Sequence, residues 1–227
     1  MTNVLISGVY PNREAAGGEG GSSSNSAYRQ AETAAAAINS ACPLHAAPGT
    51  LEQVLKYSPT REDESMREAL KLLTPIRDDF RLADYAQSFN WDKISDEFHR
   101  QLKRFDDPLL QLPKRTEYSW YAVVFRSKRK VDCSNSDLFE ADKMAYEEAY
   151  KSTNGSLLVY WYTGLDDDHN CLATCVWSSR DIARSVNSLP KHKEAARLSA
   201  DVYVHYNIDR YRISWVPTEQ KLNVAPW

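Results

Sequence analysis

The segment Tyr118-Ser-Trp-Tyr-Ala-Val-Val-Phe-Arg126 is the first of four strand-like runs in the second half of this sequence. It is rich in aromatic and β-branched residues, which is typical of a β-strand. Similar runs occupy residues 157–162, 171–177 and 206–215. Most of the aromatic residues of the chain also lie in this half: 21 of the 25 follow residue 80. We therefore expect a sheet of four strands here.

Two helical patterns separate these strands. The first runs from about 137 to 151, and Asn154-Gly155 stops it. The second is capped by Ser178 or Ser179, breaks near Pro190 and resumes to about residue 203. The order β-α-β-β-α-β predicts an α+β fold of the ferredoxin-like type, with an antiparallel sheet and both helices on one face.

Upstream of this core, the composition changes twice. Residues 1–49 are expected to be a flexible segment, because Ala, Gly and Ser supply 23 of the first fifty residues. Residues 50–115 read as a helical extension, with Thr50 or Thr60 capping one helix and Asn90 capping a second. We expect this extension to pack on the ferredoxin-like core, residues 116–227, through the apolar side chains of Trp91, Phe98 and Leu102.

Charge and hydropathy exclude several classes of protein. The 28 Lys and Arg residues against 31 Asp and Glu residues give a net charge of −3, which argues against a nucleic-acid-binding protein. No apolar run reaches the roughly 18 residues that a membrane span needs. The N-terminus lacks the basic region and the long apolar stretch of a signal peptide, so a cytoplasmic protein is expected. The four cysteines should then be free thiols.

The sequence predicts neither a metal ion nor a bound cofactor. Cys171 and Cys175 lie on one strand, where a four-residue step spans about 13 Å, and no second pair completes a zinc site. The acidic segment 166–170 imitates a calcium loop. However, Cys171 stands where that loop needs Gly, and Trp177 stands where it needs Glu.

Short motifs give two family resemblances. Trp177-Ser-Ser-Arg-Asp-Ile-Ala183 resembles the strand-to-helix passage of the dimeric α/β-barrel superfamily, which includes antibiotic-biosynthesis monooxygenases. A combination of segments across 89–216 resembles a family of mainly fungal proteins for which no chemistry is established. This likeness implies the same fold, a fungal source and a place in specialised metabolism. Its segments are 89–92, 120–127, 160–162, 172–177 and 190–192.

The superfamily resemblance implies a cavity for a small hydrophobic substrate between sheet and helices. Strand alternation puts Ala173, Cys175 and Trp177 on one face, and the resemblance makes that the helix-side face. The residues that we expect to bind substrate are Trp120, Tyr160, Cys175, Trp177, Tyr203 and Tyr206. The register between strands is open at this point, so the faces of the first two strands are assumed.

Three residues are candidates for catalysis. His192 follows a helix-breaking proline and could act as an acid or base near neutral pH, or it could be a surface residue of the first helical turn. Arg126 could bind an anionic or carbonyl group, or it could pair with Asp181 or Asp209. Tyr162 could donate a hydrogen bond to a ligand, or it could belong to the core.

These observations favour a cofactor-independent enzyme that acts on an apolar terpenoid- or polyketide-like molecule. A cyclase or isomerase, including a pericyclase such as a Diels-Alderase, needs shape and a few hydrogen bonds and no conspicuous catalytic motif. The alternatives are a non-catalytic ligand-binding or stress-related module and a cofactor-independent monooxygenase. The protein is expected to be a monomer or a homodimer.

Overall fold

The computed structural model describes residues 57–104, 117–132 and 136–227. The predicted flexible segment 1–49 and the predicted cap at Thr50 lie outside the described residues. The helices are α1 (Arg61–Leu70), α2 (Trp91–Lys103), α3 (Ser136–Ser152), α4 (Arg180–Ser185) and α5 (Pro190–Val202). The strands are β1 (Tyr118–Arg129), β2 (Leu157–Tyr162), β3 (Asn170–Trp177), β4 (Tyr203–Val216) and β5 (Lys221–Pro226).

All five strands form one antiparallel sheet in the order β2-β3-β1-β4-β5. The first four strands have the ferredoxin-like order, with α3 joining β1 to β2 and α4 and α5 joining β3 to β4. The α+β, ferredoxin-like prediction is therefore confirmed. β5 was not expected from the sequence. That short strand ends in Pro226 at the edge of the sheet, where a missing N–H costs no ladder hydrogen bond.

One face of the sheet carries α3, α4 and α5. The sheet-facing stripe of α3 is built of small and aliphatic residues, and Asn154 and Gly155 end the helix with positive φ angles of 47° and 82°. Ser179 caps α4 by accepting a hydrogen bond from the backbone N–H of Ile182 at 3.3 Å. The buried residues of the α3 stripe are Leu138, Ala141, Ala145 and Ala149.

The opposite face carries the N-terminal extension. Phe98 of α2 is fully buried, and its ring meets the rings of Trp120 and Trp215 edge-on at 5.2 Å each. The carboxylate of Asp63 in α1 accepts hydrogen bonds from Trp120 Nε1 at 2.9 Å and from the hydroxyl of Tyr57 at 2.6 Å. These contacts join the extension to β1 and β4.

The N-terminal extension has two predicted helix caps, Thr60 and Asn90, at the starts of α1 and α2. Only Thr60 makes a capping hydrogen bond with its side chain. Thr60 forms a capping box with Asp63 at the start of α1. Asn90 precedes α2, yet its side chain makes no cap hydrogen bond. The side chain of Asn90 instead accepts from the N–H of Thr74 and donates to the carbonyl of Leu72, both at 2.9 Å. It therefore closes the loop between α1 and α2.

Candidate functional site

A cavity of about 560 Å³ lies between the sheet and helices α3, α4 and α5. Pockets of roughly 300–1,000 Å³ are typical of small-molecule sites. Strands β1 to β4 supply one wall, and the three helices supply the other. The cavity therefore lies where the superfamily resemblance implied it.

The sequence produces this space through side-chain size. The helix wall includes five alanines, whereas the sheet wall includes large aromatic side chains. Small residues on the helices leave the distance between helix and sheet unfilled, because a methyl group reaches only a short way across it. The alanines are Ala145, Ala149, Ala183, Ala195 and Ala196.

The cavity brings together seven of the nine residues that the sequence analysis selected. Four elements contribute to this group, and the faces assumed for β2 and β3 match the cavity face. The seven residues are Tyr160 and Tyr162 of β2, Cys175 and Trp177 of β3, Tyr203 and Tyr206 of β4, and His192 of α5.

Trp120 and Arg126 lie on the opposite face, away from the cavity, which corrects the face assumed for β1. Alternation on β1 turns Tyr121, Val123 and Phe125 towards the cavity, so the intervening residues face the N-terminal extension. Arg126 Nε donates to Asp209 Oδ2 at 3.1 Å, which is one of the two ion pairs considered for it. Its guanidinium also donates to the carbonyls of Arg81 and Ala83.

A bulge in β2 also changes one expected face. The pairing with β3 shifts between Leu157 and Val159. As a result, Leu157 lines the cavity, while Leu158 and Val159 both join the core under the N-terminal extension. Strict alternation from Tyr160 would place Leu158 on the cavity face, and the bulge moves it to the other face.

Asp142 of α3 is a cavity residue that the sequence analysis missed. The hydroxyl of Tyr160 donates to Asp142 Oδ2 at 2.6 Å. Burial raises the pKa of the Asp142 carboxyl above its usual value, against the opposing effects of this hydrogen bond and of the Arg129 charge. A signal was present in the sequence, since Asp142 falls on the apolar stripe of α3, four residues after Leu138 and three before Ala145.

The phenols around Asp142 remain protonated near neutral pH. Burial raises the pKa of Tyr162 and Tyr203 above 10, and that of Tyr206 well above it. Tyr203 and Tyr206 stack with their ring centres 5.3 Å apart. The buried guanidinium of Arg129 lies over the ring of Phe139 at 4.7 Å. The cavity thus offers a carboxyl group beside several hydroxyl donors.

His192 contributes a neutral imidazole. Its Nδ1 atom is buried and has no hydrogen-bond partner among the described residues. Burial lowers the pKa of His192 below 6.5, and the nearby charge of Glu148 only partly opposes this. An uncharged His192 can accept or donate one hydrogen bond to a ligand.

The two cysteines of β3 are poor nucleophiles. Both are free thiols, as the sequence analysis expected. Burial raises the pKa of Cys175 to about 12 and that of Cys171 to about 11, so thiolate is scarce at neutral pH. The indole Nε1 of Trp177 points at the sulfur of Cys175 from 3.0 Å. These thiols act as walls of the cavity.

Two further findings concern the part of the chain that the structure describes. Within residues 57–104, 117–132 and 136–227, no three His, Cys, Asp or Glu side chains converge to hold a metal ion. No helix in these ranges has the length and apolar character needed to cross a bilayer.

Comparison with known proteins identifies the family. A model of the PB2B2.08-like family matches residues 47–225, so this chain belongs to that family. It is 30% identical over 161 residues to UPF0643 protein PB2B2.08 of Schizosaccharomyces pombe, a match that covers 64% of this chain and 66% of that protein, just under two thirds of its length. The resemblance to a mainly fungal family is therefore confirmed.

Two solved structures are similar over part of this chain. A dimeric protein of ferredoxin-like fold from Bacteroides fragilis has 13% identity and a TM-score of 0.31, and the match covers 40% of this chain and 94% of that one. A protein from Chloroflexus aurantiacus, provisionally assigned as an antibiotic biosynthesis monooxygenase, has 18% identity and a TM-score of 0.31. That match covers 43% of this chain and 92% of the other.

Proposed function

We propose that this member of the PB2B2.08-like family is a cofactor-independent enzyme that binds an apolar small molecule in the cavity and moves a proton on it. The reaction class is an isomerisation or a cyclisation. The observation that carries the proposal is the Asp142 carboxyl, which lies in the helix wall of the cavity, 2.6 Å from the hydroxyl of Tyr160 on the sheet wall. A carboxyl with a raised pKa is a general acid or base suited to near-neutral pH.

In the proposed reaction, the Asp142 carboxylate removes a proton from a carbon next to a carbonyl group of the substrate. The electron pair of that C–H bond moves towards the carbonyl oxygen, and the protonated hydroxyl of Tyr162 donates a hydrogen bond to it. Return of the proton to another atom completes an isomerisation. Attack of the carbanionic carbon on a second carbonyl of the same molecule forms the ring and breaks the π bond of that carbonyl, and the proton held by Asp142 passes to the resulting alkoxide oxygen. Neither route needs an oxidant.

The aromatic walls support this chemistry in two ways. They help to bury the Asp142 carboxyl, and this burial raises its pKa. They also restrict the conformations of a bound molecule, and correct positioning alone lowers a barrier by several kcal/mol. Tyr160 is a positioning residue, because its hydroxyl fixes one carboxylate oxygen of Asp142 and leaves the other for the substrate.

The test is hydrogen–deuterium exchange at the acidic carbon of two apolar ketones, 2-tetralone and 1-phenylbutane-1,3-dione, followed by NMR in D₂O. The wild-type protein should accelerate exchange over buffer, and Asp142→Asn should remove about 100-fold or more of that acceleration. Glu140→Gln is the matched control, since Glu140 is an exposed carboxylate on the same helix. The wild-type rate should rise with pH through a midpoint above the usual aspartate pKa of about 3.9.

Exchange no faster than in buffer, or an Asp142→Asn variant as fast as the wild type, would contradict the proposed proton transfer. Ketones that bind without faster exchange would favour the non-catalytic ligand-binding alternative.

A further inference from the structure

Most of the charged side chains that line the cavity are positive. Among the described residues, Lys or Arg occupies six positions of the lining, and Asp142 is the single carboxylate there. The chain as a whole carries a net charge of −3. The wall therefore has the opposite sign to the protein that contains it.

On helices α4 and α5, the basic side chains line the cavity and the acidic side chains lie outside the lining. Arg180 and Arg184 lie one helical turn apart on α4, Lys193 and Arg197 lie one turn apart on α5, and all four line the cavity. The acidic residues of the same stretch are exposed and outside the lining: Asp181, Glu194 and Asp201. Like charges in one concave wall repel each other, and an anion bound among them relieves that repulsion.

Arg180 lies at the end of the cavity away from Asp142. The guanidinium of Arg180 lies 5.7 Å from the ring of Trp227 and interacts with the hydroxyl of Tyr121, while its buried Nε has no hydrogen-bond partner among the described residues. Arg129, whose charge acts on Asp142, is eight residues further along β1 than Tyr121. That separation is about 26 Å of strand.

From this arrangement we infer that the ligand of the cavity is an amphiphilic anion. Its apolar body lies along the aromatic sheet wall, and its anionic group, a carboxylate or an acid of similar charge, lies among the cations of α4 and α5. This inference deepens the proposed function by naming the substrate class of the same cavity. It concerns binding alone, so it can hold or fail independently of proton transfer at Asp142.

A pair of fluorescent probes tests the inference directly. 8-Anilinonaphthalene-1-sulfonate and N-phenyl-1-naphthylamine share one aromatic skeleton and differ by the sulfonate. We expect the sulfonate probe to bind the wild-type protein about tenfold more tightly than the neutral probe. Added salt should weaken the binding of the anionic probe alone, because salt screens attraction between charges.

The variant Lys193→Gln/Arg197→Gln should lose that advantage, with about tenfold weaker binding of the sulfonate probe and unchanged binding of the neutral probe. Both residues are exposed at the cavity, so their replacement should leave the fold intact. The control is Lys191→Gln/Arg100→Gln, which removes two positive charges from outside the lining, each paired with a glutamate on its own helix. Asp142→Asn should bind the sulfonate probe at least as well as the wild type, since it removes a like charge.

Three results would overturn the inference: equal affinity of the wild type for the two probes, equal weakening of sulfonate binding by the control and the cavity variant, or binding of neither probe. Loss of ketone exchange in Asp142→Asn with the probe preference intact would separate the two proposals.

Discussion

Replacing Phe98 by alanine removes the ring that joins the N-terminal extension to the sheet. Phe98 is fully buried, and it meets both Trp120 and Trp215 edge-on at 5.2 Å. A buried Phe→Ala substitution costs about 3–5 kcal/mol in transfer and cavity terms. Because two aromatic pairs are lost, each worth about 0.5–1.5 kcal/mol beyond burial, we expect a value near the top of that range, about 5 kcal/mol.

Urea unfolding followed by far-ultraviolet circular dichroism and by tryptophan fluorescence measures this loss. The midpoint should fall in both signals together, because the ring packs against β1 and β4 of the central sheet. Lys93→Ala on the same helix is the control. Lys93 is exposed, so its replacement should change the free energy of unfolding by no more than about 0.5 kcal/mol. An unchanged circular-dichroism midpoint in Phe98→Ala would show that α2 is an independent appendage and would refute this reasoning.

Two smaller effects follow from individual contacts. Trp120→Phe removes the indole that donates a hydrogen bond to Asp63 at 2.9 Å, so the free energy of unfolding measured in urea should fall by about 1–3 kcal/mol. Because Trp120 lies outside the cavity, the affinity for the sulfonate probe should stay as in the wild type. Burial lowers the pKa of His192, so the unfolded chain binds more protons than the folded one below about pH 6.5, and stability should fall as the pH falls. The urea midpoint of His192→Gln should therefore change less between pH 7.5 and pH 5 than that of the wild type, and an equal change in both would contradict the assignment.

The strand and helix order could be predicted from sequence because local signals and tertiary packing agree in the core. The run 118–126 is a strand both by its residue types and by its place in the sheet, and Ser179 caps the helix that it was expected to cap. β5 was missed because its local signal is weak. It is a strand through pairing with β4, in which Ile213 lies opposite Val224.

The candidate site was predictable only where the face of a strand was known. For β3, the family resemblance indicated that Trp177 lies on the helix-side face, and strand alternation then placed Cys175 on the same face. For β1 nothing local distinguishes the faces, since Trp120 and Tyr121 are both large and aromatic. The choice between them depends on register with β3, where Tyr121 pairs with Trp177, and register is a property of the folded sheet.

Aromatic content therefore does not identify the functional face of this sheet, because both faces are aromatic. What separates them is the size of the side chains on the covering helices. On one face α2 contributes Trp91 and Phe98, which fill the space down to the sheet. On the other face α3 contributes Ala145 and Ala149, which leave it open. A search for ligand sites in relatives of this fold should accordingly look for the sheet face that is covered by helices with small side chains. The acidic residue to look for on such a helix is one that, like Asp142, lies among alanines.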